Sequence, residues 1–72
     1  MPNWERVEGS TRIVAEAYNE EEQKIYVRFH DGTEWWYAEC PPTIWDDFTA
    51  PGQSRGKYIS NVLDDKPHGE HI

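Results

Sequence analysis

The chain is poor in the residues that most protein chemistry needs. Cysteine occurs once, at Cys40, so no disulfide can close within the chain. No apolar run approaches the ~20 residues that cross a bilayer. The opening stretch MPNWERVEG has neither a basic head nor an apolar segment and does not read as a secretory signal. These absences lead us to expect a cytoplasmic protein. Basic residues are scarce too, with seven Lys and Arg against fourteen Asp and Glu and a formal net charge of -7. Nucleic-acid affinity comes largely from cations that neutralise phosphates. A generic nucleic-acid binder is therefore disfavoured, although a local basic patch is not excluded. The same acidity disfavours an anionic membrane surface.

What the chain has is aromatic rings. Its 72 residues include four Trp, four Tyr and two Phe. A mean hydropathy of -0.97 would suit a disordered chain, but an aromatic content of 14% does not. A domain of this length buries only about 60% of its unfolded surface. Large aromatics offset that, since each buries roughly 150–250 Å². Repeats, linkers and a second domain are not evident. We expect one domain over residues 1–66 and a flexible tail over 67–72.

Periodicity orders the rest. After an extended lead-in that carries Trp4, RIVAEAY (12–18) reads as a first strand and NEEEQ (19–23) as a turn. KIYVRFH (24–30) alternates strictly, with Ile25, Val27 and Phe29 on one side and Lys24, Tyr26, Arg28 and His30 on the other. Asp31-Gly32 is a strong hairpin signal. In the returning strand TEWWYA (33–38), Trp35 and Tyr37 share a face opposite Trp36. Pro41-Pro42 ends the sheet, and 42–50 fits a short helix with Ile44, Trp45 and Phe48 in a stripe. Pro51-Gly52 breaks it before a second helix over 54–65. The expected fold is α+β, a three-stranded antiparallel β-meander followed by two short C-terminal helices packed on one sheet face. The helices should cover Ile25, Val27, Phe29, Trp35 and Tyr37, leaving Tyr26, Arg28, His30 and Trp36 on the open face.

The order of these features resembles the KTSC domain, a module named for its place at the C-terminus of some lysyl-tRNA synthetases. The residues that carry the resemblance are the W-E-R-V opening, YVRFHDG, Trp35-Trp36-Tyr37 in the Tyr-x-Tyr slot, and Pro41 or Pro42 in the proline slot. Trp45 fills the aromatic slot, and Ser54-Arg55-Gly56-Lys57-Tyr58 the Ser-x-Gly-x-Tyr slot. The resemblance spans residues 3–64. Cys40 stands where the family usually has valine, and the Pro51-Gly52-Gln53 segment is one residue longer than the family pattern. The resemblance implies the fold, a stand-alone copy from a bacterium or its phage, and no settled activity; RNA binding has been suggested for the family. It implies a core role for Trp35, Tyr37, Pro41, Trp45, Gly56 and Tyr58.

No Ser–His, Cys–His or metal constellation points to catalysis, and we expect neither an enzyme nor a cofactor. HGEH at 68–71 has too few ligands for a preformed metal site. Cys40 reads as a small buried hydrophobe. SRGK at a helix start suits an N-cap at Ser54 and lacks P-loop spacing. The expected function is binding of a protein partner, or of a second copy, through an aromatic sheet face of Trp36, Tyr26, Arg28 and Tyr18. The alternative is single-stranded RNA or DNA on the same face, with Arg12, Lys24, Arg28, Arg55 and Lys57 as candidate phosphate contacts. A small-molecule substrate is not expected.

Overall fold

The strict alternation of Lys24–Phe29 builds the central strand of the domain. The computed structural model describes residues 3–71. The strands are β1 (Glu5–Arg6), β2 (Ile13–Asn19), β3 (Lys24–Phe29), β4 (Glu34–Tyr37) and β5 (His68–Glu70). Helices α1 (Pro42–Phe48) and α2 (Arg55–Asn61) and a 3₁₀ turn (Leu63–Asp65) lie between β4 and β5. The sheet is antiparallel throughout, in the order β1-β2-β3-β4-β5.

The α+β expectation holds, but the sheet has five strands rather than three. The helices are not C-terminal, because β5 follows them. Residues 68–70, expected as tail, pair with β4. The cause is the outer edge of β4, whose ladder groups would otherwise go unpaired. Pro67 accepts from the Ala38 amide at 2.8 Å, and the His71 amide donates to Glu34 O at 2.6 Å. At the other edge Glu5 and Arg6 pair with Glu16 and Ala15.

The β3–β4 hairpin forms as its sequence requires. Phe29 O accepts from the Gly32 amide, Asp31 Oδ1 accepts from the Thr33 amide at 2.9 Å, and Gly32 takes φ +89°. Such a left-handed position closes a three-residue hairpin loop at little cost only with glycine. In β2 the register shifts between Ile13 and Ala15. This bulge places Ile13, Glu16 and Tyr18 opposite Phe29, Val27 and Ile25 on the helix side.

The core lies between that side and the helices. Ile13, Ile25, Val27, Phe48, Ile59 and Leu63 are fully buried there. Pro42 sits in the first turn of α1, which lets Ile44, Trp45 and Phe48 face the sheet. Ser54 caps α2, its Oγ accepting from the Lys57 amide. α2 is tied to the sheet by one nearly buried ion pair. Arg55 Nε and Nη2 donate to the two oxygens of Glu16 at 2.9 and 3.0 Å, and Glu16 is only 5% exposed.

Breaking that pair from one side strands a buried carboxylate. Arg55→Ala is expected to cost ~3 kcal/mol or more in urea unfolding, and the Glu16→Leu, Arg55→Leu double variant clearly less. Equal losses in the two would show that the pair is not what fixes α2.

Candidate functional site

The face of the sheet without helices carries the residues on which the sequence reading centred. Lys24, Tyr26 and Arg28 project there from β3, and Trp36 lies directly opposite Tyr26 on β4. Trp36 is half-buried. Its ring lies over Gly69 of β5, close enough that a Cβ there would sit 3.0 Å from Trp36 Cζ2. Lys24 Nζ stands 5.3 Å above the Trp36 ring.

The N-terminal segment adds a second indole. Trp4 meets Tyr26 edge-on at 6.4 Å, and the Arg28 guanidinium lies 4.6 Å over the Trp4 ring. His71 packs on the same tyrosine at 5.0 Å. Tyr26 is consequently 8% exposed and forms the floor of the face rather than a free contact. The sequence left open that the N-terminal segment, with Trp4, folds back over this face, and it does; nothing in it placed His71 there. The alternation of Trp4 and Arg6 was the available signal for Trp4; nothing local marks His71, which depends on β5.

Tyr18 does not belong to this face. The β2 bulge turns it to the helix side, where its ring stacks on Trp45 at 5.2 Å and 8°. Its hydroxyl donates to Cys40 O at 2.7 Å. Burial raises the Tyr18 pKa. Of the residues resembling the family motif, Tyr37 and Tyr58 are buried, while Trp35 and Trp45 are half-buried against the core. Pro41 precedes α1 as its cap, and Gly56 packs against Arg12.

The candidate phosphate contacts do not form one patch. Lys24 and Arg28 lie on the open face, with Glu22 at 3.9 Å and Glu34 at 2.8 Å. Arg12 crosses to α2, donating to Gly56 O at 3.1 Å and Ser60 Oγ at 2.6 Å. Arg55 is held by Glu16, and Lys57 is exposed on α2.

Cys40 is fully buried, and its amide donates to Gln23 O just before β3. His30 follows the other end of β3, its Nε2 3.0 Å from Ser10 O, so the two cannot act together. Burial pushes the Cys40 thiol pKa up, away from nucleophilic use. The HGEH segment is divided by the sheet: His68 packs on Tyr37 from the helix side, and His71 on Tyr26 from the other. No helix among the described residues is long and apolar enough to cross a membrane.

The same layout occurs in a solved structure, a KTSC domain protein from Yersinia pestis. It matches over the whole of both chains with a TM-score of 0.85 at 18% identity, which is a likeness of fold. A protein of Tsukamurella paurometabola is 33% identical over 54 residues, 75% of this chain and 79% of that one. The KTSC domain model matches residues 9–66, and the chain belongs to that family.

Burial also sets a measurable alkaline limit. Tyr37 is 3% exposed, and burial, with Asp64 nearby, pushes its pKa up to about 12 from 10.0. Between those values the unfolded chain has released a proton that the folded chain keeps, so stability falls as pH rises through that window. Tyr37→Phe is expected to flatten the decline of the urea midpoint above pH ~10. An unchanged slope would show that the Tyr37 hydroxyl is no harder to ionise in the folded chain than in the unfolded one.

Proposed function

We propose that the protein is a small non-catalytic interaction module that binds a protein partner through the helix-free face of its sheet. The observation that supports this best is a pair of half-buried indoles, Trp4 and Trp36, on a face that carries no helix. Each has a cation over its ring, Arg28 on Trp4 and Lys24 on Trp36. Trp and Arg dominate the energetics of protein interfaces. Rings already held by Tyr26 and Gly69 lose little further freedom on binding. The contact set differs from the one read in sequence: Trp36 and Arg28 remain, Trp4 joins them, Tyr26 supports from below, and Tyr18 drops out.

A second copy of the chain is the simplest such partner after a different protein. Single-stranded RNA is a weaker fit. Stacking platforms suit bases, but Lys24 and Arg28 already have Glu22 and Glu34 beside them, which compete with phosphate.

A photoreactive residue at position 36 is expected to cross-link a discrete protein or a second copy in cells, and the same probe at Lys57 on α2 is not. With the captured partner purified, Trp4→Ala together with Trp36→Ala should weaken binding by ~2 kcal/mol or more while circular dichroism stays native. Adducts confined to position 57, or saturable salt-sensitive RNA binding at Trp36, would overturn the proposal.

A further inference from the structure

The helix side of the sheet holds a separate groove of about 630 Å³ beside the 3₁₀ turn. That volume lies within the range of sites that take ligands, ~300–1,000 Å³. Its rings are Phe29, Trp35, Tyr37 and His68, with Phe29 and Trp35 half-buried and the imidazole 6.3 Å from Trp35 and 5.5 Å from Tyr37. Tyr37 is buried, yet no described residue hydrogen-bonds its hydroxyl. No fully buried polar side-chain atom among the described residues lacks a partner, so this hydroxyl must open onto the groove it lines.

The charges around it are unbalanced. Asp31 and Asp64 line the groove, and neither joins any of the ion pairs among the described residues, all of which use glutamates. Asp31 is fixed in place because its Oδ1 accepts from the Thr33 amide and hydroxyl at 2.9 and 2.7 Å, which leaves Oδ2 free. Asp64 acts on the Tyr37 hydroxyl from nearby and raises its pKa, with burial the larger cause. The one cation lining the groove, Arg12, is committed to Gly56 O and Ser60 Oγ, with its guanidinium 5.8 Å over the Phe29 ring. It occupies Phe29 and leaves both carboxylates without an ion partner, while Trp35 has His68 tilted against it on one side only.

We propose that this groove is a second binding site, one that takes an arginine or lysine side chain from a basic segment of a partner protein. The aliphatic stem lies along Trp35, where the cationic head also gains from the ring. Its N–H groups donate to Asp31, Asp64 and the Tyr37 hydroxyl, all of which can accept. An anionic ligand would meet two carboxylates. An apolar one would leave those carboxylates and the hydroxyl unpaired. The net charge of -7 favours approach of a basic partner. The site lies on the opposite side of the sheet from Trp4 and Trp36, so it does not depend on the function proposed for that face.

The probe is a blocked Gly-Arg-Gly-Arg-Gly peptide titrated at low salt into labelled full-length protein, followed by two-dimensional NMR. The Trp35 indole N–H and the Thr33 amide are expected to shift saturably, and a glutamate version of the peptide is expected to leave them unmoved. The Asp31→Asn, Asp64→Asn double variant should bind at least about tenfold more weakly. Asparagine at 31 can still accept from Thr33, so the turn is retained. Trp4→Ala with Trp36→Ala should leave the titration unchanged, which separates this site from the open face. Shifts centred on Glu20–Glu22, equal affinity in the Asp31→Asn, Asp64→Asn variant, or no saturable shift at Trp35 would overturn the proposal.

Discussion

Everything in this domain takes its side from the alternation of β3. Ile25 and Val27 are fully buried toward the helices, and Tyr26 and Arg28 face away. A strand paired on both edges transmits that choice through register. Trp35 and Tyr37 must follow Val27 and Ile25, and Trp36 must follow Tyr26. The bulge in β2 then makes the one adjustment that lets Ile13 and Glu16 share the helix side. Glu16 there gives Arg55 a partner and fixes α2 against the sheet. A one-residue slip of β3 would bury a positive charge and expose the aliphatic core.

The two faces consequently have different chemistries. The helix-free face displays two indoles, each with a cation over its ring. On the helix side a groove lies beside the 3₁₀ turn, where, among the described residues, two aspartates have no ion partner and the Tyr37 hydroxyl has no hydrogen bond. Among the described residues the ion pairs use Glu8, Glu16, Glu22 and Glu34, and the aspartates and the remaining glutamates lie outside them. That division lets a strongly acidic chain hold itself together and still present negative charge outward.

The elements visible in sequence were those with short-range signals. β3 has strict period two, the Asp31-Gly32 turn needs its glycine, and Pro41-Pro42 marks where the sheet stops and α1 begins. β1 and β5 had no such signal, being two and three residues long, and β5 pairs with a strand on the far side of both helices. Their strand state comes from the exposed edges of β2 and β4, not from their own propensity. Tyr18 was misplaced because a bulge reverses side-chain parity and leaves little trace in residue type.

The sequence by itself determined an acidic α+β domain with no disulfide, an alternating central hairpin, and which of Trp35, Trp36 and Tyr37 share a side. These follow from local steric and solvation rules that act over a few residues. It takes the folded chain to bring Trp4 and His71 to the open face around Tyr26, to commit Arg12 and Arg55 to internal contacts, and to set Asp31 and Asp64 in the lining of one groove. Those outcomes depend on which segments lie side by side after folding, and residues dozens of positions apart carry no local sign of each other.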